Sequence, residues 1–174
     1  MLKQFAASLV LLCAVGGCSK PQEVLETPDR PNIVWLFSDD HAYQDIGSYP
    51  GRFENENLTP NIDTLAQEGM AFDRCYVANS ICGPSRATLL TGKHSHMNGK
   101  YDNGGDFNHD QPQFQKTLQE NGYQTAMIGK IHLRGNMQGF DYWEVLPGQG
   151  QYWDPKFITE EGRNRHDYLN VFYY

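Results

Sequence analysis

The chain has 174 residues, enough for one domain with a sizeable core. Its 39% hydrophobic and 13% aromatic content excludes a disordered acidic tail. A net charge of −7 argues against a general nucleic-acid or polyanion binder, whose phosphate contacts demand clustered Lys and Arg; a small anionic substrate stays compatible if its site is locally positive.

Met1-Leu2-Lys3 is a short basic start, and residues 5–15 form an apolar stretch too short to span a bilayer. Val15-Gly16-Gly17-Cys18 and then Ser19-Lys20 follow. This order resembles a bacterial lipoprotein signal, cleaved before Cys18 so that its thiol takes lipid; an ordinary secretory peptide containing a cysteine is the alternative. Several acyl chains on Cys18 would anchor the mature protein stably. Residues 1–18 therefore read as a signal peptide with its lipobox cysteine, residues 19–30 as a tether with Pro21 and Pro28, and residues 31–174 as the folded part. The expectation is an exported, membrane-anchored lipoprotein, periplasmic or on the outer membrane or cell surface of a bacterium. Cys13 leaves with the signal and Cys18 carries lipid, so Cys75 and Cys82 are the thiols of the folded part. In an oxidising compartment such a pair could form a disulfide.

Ile33-Val34-Trp35-Leu36-Phe37 is a continuous apolar run closed by Ser38-Asp39-Asp40, and predicts a strand buried on both faces. Thr59-Pro60 predicts a helix start, with Ile62, Leu65 and Ala66 at helical spacing and Gly69 as its end. Residues 70–77 alternate and predict a second strand. Residues 80–92, SICGPSRATLLTG, open another helix. Residues 100–110, rich in Gly, Asn and Asp, read as loop, and Phe114 and Leu118 belong to a helix ended by Asn121-Gly122. Residues 123–128 predict a strand leading into Gly129-Lys130-Ile131-His132, and from Gly135 onward the chain is aromatic and turn-rich without clear periodicity. Strand, helix, strand, helix, strand is an α/β order with a mostly parallel central sheet flanked by helices.

In such sheets ligands bind beyond the carboxyl ends of the strands, and three exits carry chemistry. At the first, the adjacent carboxylates of Asp39 and Asp40 suit a hard divalent cation, calcium or magnesium, although the pair could equally cap a turn. At the second, Gly83 permits a tight turn and Pro84 suits a first helical turn, so Cys82 falls where free helix N–H groups point. Arg86, one turn along, has a planar fork matched to a tetrahedral oxyanion. Cys82 is thus a structural thiol, half of a disulfide, or a reactive group aimed at sulfate or phosphate. At the third, Lys130 and His132, two apart, would face one pocket if the strand continues; a solvated lysine and a turn histidine are the alternative. His94 and His96 are spaced like a metal pair, with a structural or rim role preferred.

Cys82-Gly83-Pro84-Ser85-Arg86, continuing to Leu89-Leu90-Thr91-Gly92, resembles the Cys-x-Pro-Ser-Arg…Leu-Thr-Gly motif of the type I sulfatases, with Asp39-Asp40 and Gly129-Lys130-x-His132 resembling two further family motifs in the right order. The resemblance runs from about Pro31 to near Arg165. It implies the alkaline-phosphatase-like fold, a Cys82 converted to formylglycine by a maturation enzyme, and hydrolysis of a sulfuric ester by the resulting geminal diol. It also implies that Asp39, Asp40 and the modified Cys82 hold Ca2+, Mg2+ being the other candidate. Arg86 would then stabilise the formylglycine, Lys130 would bind the diol and the sulfate, and His132 would help elimination. The family's remaining calcium ligands lie in a later segment, so the chain reads as an N-terminal, incomplete portion. Residues 139–157 resemble a segment of glucosamine-6-sulfatase-like enzymes, which implies a sulfated carbohydrate substrate; it is the net charge that speaks against nucleic acid. A phosphonate or phosphodiester hydrolase of the same superfamily and an inactive lipoprotein fragment are the competing readings.

Overall fold

Proline and glycine set the helix limits. In the computed structural model, which describes residues 30–54 and 56–160 and the backbone of 162–165, α1 runs Pro60–Glu68 with Pro60 as its first residue. There the missing N–H costs nothing, and the Gly69 N–H closes the last turn on the Leu65 carbonyl at 2.9 Å. The Thr59 hydroxyl does not cap this helix's backbone; it accepts from the Gly47 N–H at 2.9 Å and donates to Asp63 at 3.2 Å. Helix α2 runs Cys82–Thr91 and ends on Gly92 in the left-handed region, φ 65°. A single turn, α3, spans Ser95–Asn98, and α4 runs Phe114–Glu120, closed by Asn121 and a left-handed Gly122 as its sequence predicts.

The strand expected at 123–128 is realised later, as β1, Ala126–Lys130. Thr125 explains the shift, because its groups serve a clasp instead. Its N–H donates to Asp141 Oδ2 at 2.7 Å and its hydroxyl to the Gly139 carbonyl at 2.8 Å. Its own carbonyl accepts from Asp141 N–H at 2.8 Å. The clasp sets the register of β2, Tyr142–Leu146, which pairs parallel to β1 from Ala126 opposite Tyr142 to Lys130 opposite Leu146. Strands β3, Lys156–Thr159, and β4, Gly162–Arg165, follow antiparallel, in the order β1-β2-β3-β4. The class is α/β. The described sheet is mixed, with its one parallel pairing between β1 and β2, and β2 to β4 arise in the stretch that shows no periodicity in sequence.

Two predicted strands do not form. Residues 33–37 and 70–77 carry no strand, and Val34, Leu36 and Tyr76 are 79%, 78% and 85% exposed. A strand apolar on both faces needs a hydrogen-bonded neighbour and a layer over each face. Among the described residues the four named strands pair only with one another. Residues 1–36 and 37–174 are two compact units, and of the first only 30–36 are described, without helix or strand. The signal peptide, most of the tether and the aromatic ending at 168–174 lie outside the described residues.

The core joins α2 to the exit of β1. Ala87 of α2 packs with Phe107, with Ile131 and Leu133 just beyond β1, and with Val145 of β2; Leu90, Met127 and Trp143 close around them. The loop over this core buries His109, whose Nε2 faces the Arg134 carbonyl at 3.2 Å and whose ring meets Phe107 edge-on. Burial, foremost, pushes the His109 ring below its ordinary value, with the Lys116 charge adding to that effect. The folded protein therefore holds His109 neutral where the unfolded chain protonates it. Stability is retained above the ordinary histidine value of 6.5 and declines as the pH falls through it, by up to about 1.4 kcal/mol per pH unit. Urea midpoints measured from pH 7.5 to 5 should fall, and His109→Gln should flatten that slope; equal slopes would contradict the assignment.

Candidate active site

Three separated stretches converge on one carboxylate. Asp39 follows the apolar run, Arg86 lies one turn into α2, and Lys130 ends β1. Arg86 Nη2 donates to Asp39 Oδ2 at 2.8 Å, and Lys130 Nζ reaches the same oxygen at 3.1 Å. Arg86 Nη1 donates to the Lys130 carbonyl, which ties the helix to the strand end, and its guanidinium lies 4.9 Å from the centre of the Phe37 ring. Burial alone would raise the Asp39 carboxyl; the hydrogen bonds and charges of Arg86 and Lys130 outweigh it and hold the group below its ordinary value.

Cys82 is the first residue of α2, as its sequence predicts, and is half-buried. Its Sγ lies 3.7 Å from Asp39 Oδ1 and 3.6 Å from Lys130 Nζ. Both Cys82 and the exposed Cys75 are free thiols, so the disulfide reading is not realised. Gly83 is required by close approach. A Cβ there would stand 3.0 Å from Asn103 Oδ1 and 3.1 Å from the His132 carbonyl, while the Gly83 N–H donates to Asn103 Oδ1 at 2.8 Å. The helix start thus carries a cap from twenty residues away.

His132 lies just past β1 with φ 49°, so its orientation comes from a left-handed turn and not from strand alternation. Its Nδ1 and Arg86 Nε are both buried and have no hydrogen-bond partner among the described residues. Burial, then the charges of Lys130 and Arg86, push the His132 ring down, with Asp39 opposing. At neutral pH the ring is uncharged and able to accept a proton. Cys82 and Arg86 line a cleft of about 490 Å³ together with Asp39 and Asp40, and these two carboxylates also line a larger one of about 720 Å³ with His41, Lys130, Gln149 and Tyr152 among others. His94 and His96 stack on each other, ring centres 5.8 Å apart, and line neither.

Asp39 and Asp40 offer hard oxygen donors of the type calcium takes, and supply part of its shell of about six to eight oxygens. They fit in kind and fall short in number. Asp39 is engaged by two cations, and among the described residues no three His, Cys, Asp or Glu side chains converge as metal ligands, so Asp39, Asp40 and Cys82 do not by themselves form the expected centre. Sequence reasoning missed three participants. Gln149 accepts from Lys130 Nζ at 2.9 Å, Asn103 caps α2, and the buried Lys100 holds the Asn103 loop by donating to the Gly104 and Gly105 carbonyls at 2.6 and 3.0 Å. Only the glycines beside Gln149 hint at a fixed turn; the other two contacts are tertiary.

A half-buried thiol at a helix start thus stands with two cations, a carboxylate and a neutral histidine on an α/β scaffold. The model of the sulfatase family matches residues 31–172, and the chain belongs to that family. It is 47% identical over 170 residues to an N-acetylglucosamine-6-O-sulfatase of Bacteroides thetaiotaomicron, covering 94% of this chain and 29% of that protein. It is 38% identical to a dog N-acetylgalactosamine-6-sulfatase, over 69% of this chain and 26% of that protein. A solved structure in complex with its substrate D-glucosamine-2-N,6-O-disulfate superimposes with a TM-score of 0.74 at 49% identity, over 79% of this chain and 28% of that one. The chain thus spans less than a third of the length of these relatives.

Asp39→Asn would strand two largely buried cations. It should cost about 2 kcal/mol at pH 7, below the roughly 3–5 of a fully buried pair because the carboxylate keeps 13% exposure. The Asp39 contribution is present above the ordinary carboxylate value of 3.8 and lost as the pH falls below its folded-state value. The gap between variant and parent in denaturant titrations should therefore close on acidification; a gap independent of pH would refute the charge assignment.

Proposed function

We propose that this chain carries the nucleophile half of a sulfuric ester hydrolase acting on a sulfated carbohydrate. The observation that carries the reading is Cys82 at the mouth of α2, with Asp39 3.7 Å and Lys130 3.6 Å from its sulfur and Arg86 one turn on. Family membership and 47% identity to an N-acetylglucosamine-6-O-sulfatase favour a glucosamine 6-O-sulfate group as substrate. Modified to formylglycine, position 82 would supply a geminal diol, one hydroxyl accepting the sulfuryl group and the other allowing sulfate to leave as the aldehyde re-forms. Lys130 and Arg86 set positive charge around that position, and preorganised charge of this kind is a large part of such catalysis. Arg86 presents its charge beside position 82, and neutral His132 can take the proton of the second hydroxyl as the aldehyde re-forms. Asp39 and Asp40 would hold calcium with ligands from beyond the described residues, the cation supplying further positive charge.

We also propose export and anchoring through lipid on Cys18, on the strength of the apolar stretch at 5–15 and the Val15-Gly16-Gly17-Cys18 order. The hydrolase reading is tested by producing the protein, with any sequence its gene encodes past Tyr174, beside a formylglycine-generating enzyme. Peptide mass spectrometry should find an aldehyde at position 82, and sulfate should be released from N-acetylglucosamine 6-O-sulfate. Cys82→Ala should abolish release, and turnover by that variant or an unaltered cysteine throughout would overturn the proposal.

A further inference from the structure

An ammonium has three N–H directions, and the fold fills all three on Lys130: Asp39 Oδ2 at 3.1 Å, Cys82 Sγ at 3.6 Å and Gln149 Oε1 at 2.9 Å. The third partner comes from a turn with little freedom. Strand β2 ends at Leu146, and the Gly150 N–H donates to the Pro147 carbonyl at 3.0 Å. Gly148 and Gly150 flank Gln149 with φ of 58° and 83°, a region that favours glycine. A Cβ on Gly150 would also stand 2.9 Å from Leu146 Cδ1, and Leu146 is 1% exposed with little room to yield. Gln149 itself is exposed at the larger cleft, yet its amide oxygen reaches an ammonium whose side chain is only 4% exposed.

We propose that Gln149 is a positioning residue for Lys130, fixing the ammonium over Cys82 without neutralising it. Resting on the hydrolase reading above, this assigns the amide a task that a carboxylate would do badly. Asp39 already balances one of the two cations. A second acidic partner would cancel the charge an anionic ester needs, whereas an amide carbonyl accepts the hydrogen bond and leaves that charge in place.

Two variants separate these effects. In Gln149→Leu the acceptor is lost, and reductive methylation of Lys130 with formaldehyde and borane, followed by peptide mass spectrometry, should run about fivefold faster relative to exposed Lys156. Gln149→Glu keeps an acceptor and should leave Lys130 as protected as in the parent. In turnover of N-acetylglucosamine 6-O-sulfate, Gln149→Leu should lower kcat about tenfold with KM within about twofold, while Gln149→Glu should chiefly raise KM. Unchanged Lys130 labelling in Gln149→Leu overturns the inference, as does a KM effect shared equally by both variants. A parent protein that releases no sulfate overturns the hydrolase reading instead, and the labelling rates still decide whether Gln149 holds the ammonium.

Discussion

Arg86 and Lys130 are both nearly out of water and both positive, and neither could sit so close to the other without Asp39 between them. The cost of removing two cations from solvent, and their mutual repulsion, is met by one carboxylate that is itself held ionised by them. Because Asp39 stands 47 residues from Arg86, and Arg86 44 residues from the backbone it grips at Lys130, this charge cluster also acts as a tertiary clamp. The start of α2, the end of β1 and the turn at Asp39 cannot be separated without exposing an unbalanced ion. Packing of Ala87 against Ile131 and Leu133 brings the same elements together from below. Fold and site are one construction here.

The clamp is also a local exception to the net charge of −7, because it places two cations together out of water. Counting Asp40 beside Asp39, two cations face two carboxylates, so the cluster is near neutral in sum and differs from the acidic surface in how its charges are placed. The acidic surface is felt over longer distances, where salt screens it. On the hydrolase reading proposed above, an anionic ester would be held at short range by oriented N–H groups and not drawn in from afar.

Much of this is legible in the sequence where local physics decides. Pro60, Gly69, Gly92 and Gly122 mark helix limits through backbone preferences that need no partner. Cys82, Arg86, Lys130 and Asp39 are singled out by chemistry and spacing, and the structure brings them together. What escapes is tertiary. Residues 33–37 are apolar enough for a buried strand, but apolarity supplies no neighbour, and β2 to β4 are too short for a period to stand out. Gln149, Asn103 and Lys100 act through single contacts across the fold, which no local pattern encodes.

Of the four described non-glycine residues with positive φ, Asp40 and His132 belong to the site, at 50° and 49°. A side chain in that conformation carries roughly 1–2 kcal/mol of strain, while glycine would relieve it and lose about as much again through its freer unfolded chain. The two effects nearly offset. At the exposed Asp40 a change to glycine would thus move stability little, whereas at the half-buried His132 it would also remove the packing of a ring. If the hydrolase proposal holds, an Asp40→Gly allele would look healthy in an expression survey and be found out only by a turnover assay.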